Sequence, residues 1–234
     1  MSGHSKWATT HRQKAVVDAK RGAAFTKLGN MIAIAARGGT DPTTNSSLAL
    51  AIEKARAANM PNANIQRAID RINDKNAAAL EEAVYEGYGP GGVGIIIETA
   101  TDNKNRTYPE VRTALTKNGG TIADSGSVMF QFARKGVIRV AASGEEALLT
   151  VLDAGAEDAT EEDGGLTIYT DKKELAKVRE ALLAAGMTVE DAELQYVPNN
   201  TVAIEDDETA RKLTKIIDAL EALDDVTNVA TNAA

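Results

Sequence analysis

"GVIRVAASGEEALLTVLDAGAEDATEEDGGLTIYTDKKELAKVREALLAAGMTVEDAELQYV", residues 136–197, reads as strand, helix, strand, strand, helix, strand. "VIRVA" and "LTIYT" are rich in β-branched residues and have strand length, and "TVEDAELQYV" closes the run as a third strand. "EEALLTVLDAGA" and "DKKELAKVREALLAAG" carry apolar residues at helical spacing and stop at glycine. The acidic piece between them, "EDATEEDGG", reads as a loop or a weak strand. This β-α-β-β-α-β order is that of a ferredoxin-like unit. Elements remain on both sides of it. "VGIIIETAT", "NRTYPEVRTALTKNGG" and "SVMFQFA" precede it as strand, helix and strand, and "TVAIE", "DETARKLTKIIDALEALDD" and "VTNVAT" follow in the same order. These outer pieces, 93–133 and 201–231, make a second such unit if they pack together. The expectation is a discontinuous α/β domain, residues 79–135 and 198–234, with a complete domain, 136–197, inserted into it. Three contiguous domains are the alternative.

Upstream the pattern is helical throughout. Phe25, Leu28, Ile32 and Ala35 share one face of a helix running from Ala15 to about Arg37, and "RGGTDPTTN" ends it. Leu48, Ile52 and Ala55 mark a second helix that stops before Pro61. A third starts at Asn62, a good capping residue, and carries Ile65, Ala68, Ile69 and Ile72. Residues 1–78 are therefore expected to be an all-helical domain with a mobile leader at 1–14, which lacks apolar periodicity. The expected fold class is multidomain α and α+β: a helical N-terminal domain followed by two ferredoxin-like α/β domains, one inserted into the other.

Charge separates these parts. Residues 1–78 hold 12 Lys and Arg against 5 Asp and Glu, net +7, while residues 79–234 hold 14 against 29, net -15. A basic end on an acidic body points to a polyanionic partner met from one direction. With 234 residues, 43% of them hydrophobic, the chain can build more than one core, and the aromatic share of 4% makes those cores aliphatic. The absence of cysteine removes disulfides, thiolate nucleophiles and thiolate metal sites, and suits a reducing intracellular compartment. No apolar run is long enough to span a bilayer and the leader has no secretory apolar segment, so no membrane partner and a cytoplasmic location are expected.

No stretch assembles catalytic chemistry. Gly89, Gly91 and Gly94 match the letters of a dinucleotide fingerprint, but they precede a strand, whereas that fingerprint follows a strand and opens a helix on the pyrophosphate. They read as a tight entry into a sheet. His4 and His11 lie in the leader without a serine or carboxylate partner, and too few further donors accompany them to hold zinc. Glu157, Asp158, Glu161, Glu162 and Asp163 lack the spacing of a calcium loop and read as a solvated acidic surface that repels nucleic acid. No cofactor, metal, small-molecule substrate or enzymatic activity is expected.

The leader carries different chemistry. Lysines and arginines neutralise phosphates, and Trp7 and an imidazole stack on exposed bases. Lys6, Trp7, His11, Arg12, Lys14, Lys20, Arg21, Lys27, Lys54, Arg56 and Arg67 are the candidate nucleic-acid-binding residues. No helix-turn-helix pair is evident, so the pattern supplies no sequence-specific groove reading.

"GHSKWA", "DAKRG", "FTKL", "KARAANMPNANIQRAI", "YEGYGPGGVG", "TDNKNRT", "NGGTIADSGSV" and "FARKGVI" follow one another along the chain. In this order they resemble the signatures of the YebC/PmpR family, whose relatives include the mitochondrial translational activator of cytochrome c oxidase. The resemblance spans essentially the whole chain. It implies a helical N-terminal domain and two α/β domains, and a DNA-binding regulator of transcription. It also implies the alternative of a ribosome-associated translation factor that binds ribosomal RNA and relieves stalling on proline-rich sequences. The same basic residues serve either reading.

Overall fold

In the computed structural model, residues 18–74, 78–162 and 164–234 are described, with 18–21 described by backbone alone. They form two compact units, Phe132–Asn199 and a larger one that joins residues 18–131 to 200–234. The fold is mixed α and β, with seven α-helices and two four-stranded sheets among the described residues. In chain order the elements are α1 (Asp18–Ala36), α2 (Ser46–Ala57), α3 (Asn62–Asp70), β1 (Glu81–Tyr88), β2 (Gly94–Thr101), α4 (Lys104–Lys117), β3 (Thr121–Ala123) and β4 (Phe132–Val140). They continue as α5 (Glu145–Asp153), β5 (Asp158–Glu162), β6 (Gly165–Asp171), α6 (Leu175–Ala184), β7 (Val189–Pro198), α7 (Asp207–Glu221) and β8 (Val226–Thr231).

The three helices of the larger unit close a core of their own. Leu28 and Ile32 of α1, Leu48 and Ile52 of α2, and Ile65 and Ile69 of α3 meet around Met60. Asn45 sets the first connection. Its Oδ1 accepts the Leu48 N–H at 3.1 Å and so caps α2, while its Nδ2 donates to the Ala35 and Gly39 carbonyls at 2.8 and 2.7 Å. One side chain thus satisfies the start of α2 and the end of α1. Asn62, the expected cap of α3, is instead its first helical residue; Pro61 precedes it, and the Pro61 carbonyl takes the amides of Asn64 and Ile65.

The sheet of the larger unit has the order β3-β1-β2-β8, each neighbour antiparallel. Its strands differ from the two strand-helix-strand pieces expected. "EEAVYEGY" is a strand, registered against β2 from Glu81↔Thr101 to Tyr88↔Gly94, and the glycine-rich stretch is the turn between them. Gly91 sits there at φ 75°, a left-handed conformation that only glycine adopts freely. "SVMFQ" is not a strand: Met129–Gln131 is a single 3-10 turn. The Glu86 carboxylate explains this, because it accepts the amides of Gly126, Val128 and Met129 at 2.6, 2.6 and 2.8 Å. Amides gathered on one acceptor cannot alternate along a strand. Residues 201–205 make only the single bridge Val202↔Ala233.

The core of this sheet packs Ile95 and Ile97 against Val111 and Leu115 of α4 and Leu213, Ile216 and Leu220 of α7. Ile96 points the other way and is fully buried too, on the face where α1 passes β2 and β8. Burial on both faces is why "III", residues 95–97, reads as an uninterrupted apolar run.

In the smaller unit the order is β5-β6-β4-β7, again with every neighbour antiparallel. β4-α5-β5 and β6-α6-β7 each skip one intervening strand. The unit begins at Phe132 rather than Gly136, because Phe132 and Ala133 already pair with Pro198 and Val197. "EDATEE" supplies an edge strand, from Asp158↔Tyr169 to Glu162↔Gly165. Gly136 is required by space: a Cβ there falls 2.9 Å from the Leu175 Cβ and against the Thr170 hydroxyl. Gly136→Ala is therefore expected to destabilise this unit by about 1–3 kcal/mol through overpacking. Denaturant unfolding followed by tyrosine fluorescence measures it, and an unshifted midpoint contradicts the packing described.

Candidate nucleic-acid interface

The structure sorts the candidate residues by what else they touch. Lys6, Trp7, His11, Arg12 and Lys14 lie outside the described residues, and Lys20 and Arg21 stand in the first turns of α1 with side chains outside them as well. Lys27 is half-buried, and its Nζ donates to the Glu221 carbonyl at the end of α7. Carbonyls at a helix C-terminus favour a cation. Burial pulls the Lys27 pKa down, against the upward pull of the Glu221 and Asp224 carboxylates. Lys27 therefore fastens α1 to α7.

Arg56 and Arg67 are exposed, and Lys54 is half-buried beside Arg56 in the last turn of α2. Arg67 donates to Asn64 Oδ1 at 3.2 Å, one turn back on α3, which steadies the guanidinium without burying it. These positions follow from the apolar stripe. Ala55 and Ala68 face the helical core, so their neighbours Arg56 and Arg67 are forced outward.

Two other cations of the helical part serve as joints. Arg37 donates to the Leu80 carbonyl at 3.2 Å. Arg71 reaches Asn30 Oδ1 at 3.3 Å and Asp102 Oδ2 at 3.7 Å. With Lys27 they tie the helices to the sheet of the same unit at three separate points.

Asp102 leads into a polar knot that local pattern does not reveal. Asp225, buried just before β8, receives the Arg106 guanidinium at 2.7 Å, and the Thr107 and Thr101 hydroxyls stand 2.7 and 3.0 Å from its Oδ2. Burial pushes the Asp225 carboxyl up, but these hydrogen bonds and the Arg106 charge outweigh it and leave it below its ordinary value. Glu86 behaves alike: burial raises it, and the three amides it accepts outweigh that and bring it below its ordinary value. Nearby, the rings of Tyr85 and Tyr108 lie 5.9 Å apart, with Tyr108 43% exposed. "TDNKNRT" holds Thr101, Asp102, Arg106 and Thr107, but Asp225 is 119 residues from Arg106, so the two cannot be paired by spacing.

Among the described residues no group of three His, Cys, Asp or Glu could hold a metal ion, and no helix is long and apolar enough to cross a membrane. The glycine-rich stretch is a hairpin turn holding one 3-10 turn, Pro90–Gly92, and leads into β2, so it opens no α-helix onto a pyrophosphate.

Two family models together cover nearly all of the chain. Residues 5–75 match the TACO1/YebC protein N-terminal domain, and residues 80–233 match the TACO1/YebC second and third domain. The chain belongs to the TACO1/YebC family. A probable transcriptional regulatory protein of Moorella thermoacetica is 52% identical over 240 residues, covering 100% of this chain and 95% of that protein. One from Chlorobaculum tepidum is 51% identical over 99% of this chain and 94% of its own length. The crystal structure of a conserved hypothetical protein from Aquifex aeolicus superposes with a TM-score of 0.91 at 44% identity, covering 98% of this chain and 97% of that one.

The depressed carboxyls give this family member a definite acid response. A group with a lowered folded pKa contributes stability above its unfolded pKa and loses it as pH falls through the folded one. Stability conferred by Asp225 and Glu86 is thus complete at neutral pH and declines below about pH 4. Glu86→Gln is expected to flatten the fall in Tm between neutral and acid pH while costing on the order of 2 kcal/mol at pH 7. Calorimetry across that range checks it, and parallel wild-type and variant curves refute the assignment.

Proposed function

We propose that this protein is a non-enzymatic regulator of gene expression that binds nucleic acid, in the first place DNA in the control of transcription, through its basic helical half. The observation that carries the reading is the split of charge, net +7 over residues 1–78 and net -15 over 79–234. Exposed Arg56 and Arg67 add outward guanidiniums on two successive helices of that half. The names of the Moorella and Chlorobaculum relatives, probable transcriptional regulatory proteins, support regulation of transcription. In this reading residues 1–78 are the binding domain. The acidic sheet regions, 79–135 with 198–234 and the ferredoxin-like 136–197, repel a polyanion and so confine it to the helical half. The protein works in the cytoplasm, without cofactor or small-molecule substrate.

Each phosphate that a cation no longer neutralises reduces the slope of log affinity against log salt by about 1. Arg56→Ala with Arg67→Ala is expected to lower that slope by about 2 on duplex DNA, and deletion of residues 2–21 to abolish binding while both sheets stay folded. Lys27→Met, whose partner is the Glu221 carbonyl, is expected to lower Tm and leave the slope unchanged. Fluorescence anisotropy over a potassium chloride series reads all three, and an unchanged slope in the double variant excludes α2 and α3 from the interface. Crosslinking in cells separates the targets: defined promoter sites support transcription, and enrichment of ribosomal RNA without them replaces this reading by the translational one.

A further inference from the structure

The smaller unit carries a surface of a different kind. Leu149 and Leu152 are 57% and 45% exposed on α5, while Val151 of the same helix is fully buried. At helical periodicity Glu145, Glu146, Leu149, Leu152 and Asp153 fall within one arc, all of them exposed. Two leucines thus stand in water between acids at both ends of the helix. None of these three acids makes an ion pair among the described residues. α5 lies beside β5, the edge strand whose Glu161, on the sheet face that the helices cover, is also exposed. Over Phe132–Asn199 the sequence holds 7 Lys and Arg against 14 Asp and Glu, net -7.

Two leucines exposed side by side on one helix face offer a pair of apolar anchors, and the surrounding charge states what they fit. Nucleic acid is repelled. A second copy meeting the same patch across a two-fold axis would set acid on acid. We propose that this stripe docks a cationic amphipathic helix of another protein, its apolar side on Leu149 and Leu152 and its lysines or arginines against Glu145, Glu146, Asp153 and Glu161. Helix recognition of this type needs apolar anchors ringed by complementary charge, and both are present. The surface is independent of the nucleic-acid reading and would recruit a basic protein whichever nucleic acid the helical half binds.

The test uses the full-length protein and a fluorescent synthetic helix with one leucine face and one lysine face. Binding is expected to weaken with salt, to fall at least about tenfold in Leu149→Ser with Leu152→Ser, and to lose salt dependence in Glu145→Gln with Glu146→Gln and Asp153→Asn. Amide hydrogen exchange should show protection by the peptide confined to residues 145–162. Equal affinity in the leucine variant, or protection elsewhere, overturns the proposal. So does sedimentation that reveals a dimer dissolved by the leucine substitutions, since a second copy is then the occupant. The sites are on the surface, so unaltered Tm in each variant separates loss of docking from loss of fold.

Discussion

A single buried carboxylate, Asp225, closes the larger unit. The chain leaves that unit after Gln131 and re-enters it at Asn200, so α7 and β8 must find a sheet laid down long before them. Leu213, Ile216, Leu220 and Val226 supply the apolar burial, but burial is non-directional and tolerates sliding. Asp225 does not tolerate it: Arg106, Thr107 and Thr101 converge on one carboxylate, and its own carbonyl accepts the Ala100 amide at 2.8 Å. Asn232 repeats the device at the other end of β8, where its Oδ1 accepts the Gly94 amide and its Nδ2 donates to Gln131 Oε1, each at 2.8 Å. Polar groups fix the register of what apolar groups hold together.

The same division of labour shapes the basic half. Its cations look alike in sequence, yet Lys27, Arg37 and Arg71 end on a carbonyl, a carbonyl and a carboxylate of the sheet region, and Arg56 and Arg67 stay at the surface of their helices. A cation that closes a helix end or meets a carboxylate is already engaged and has less to offer a phosphate. The outward cationic surface is thus narrower than the residue count suggests, and it is defined by which helical face the aliphatic core leaves outward.

Much of this is legible in order and little in space. The last strand, "VTNVAT", and the helix after "TDN" announce themselves, because β-branched runs and a side-chain cap act over a few residues. Within the smaller unit, element order follows the sequence reading for the same local reason. What stays hidden depends on distant partners. Glu86 turns "SVMFQ" from an expected strand into a 3-10 turn by drawing in amides some 40 residues away, and nothing in the local alternation reports that. "EEAVYEGY" is masked as a strand by its acids and its one glycine, although Gly87 is demanded there by the Thr121 carbonyl, 2.9 Å from where a Cβ would sit. For the site, the charge split is visible as composition, but telling the fastening cations from the outward ones needs coordinates.

The net charge of -8 says little about what this molecule meets. At physiological ionic strength exposed charges more than about 8 Å apart are largely screened from one another. Local charge therefore weighs more than the total: Arg56 and Arg67 stand exposed on α2 and α3, and Glu145, Glu146 and Asp153 on α5. Charge alone gives no specificity, and in the proposed readings short-range contacts must supply it: those of the outward arginines on α2 and α3, and those of the exposed leucines on α5.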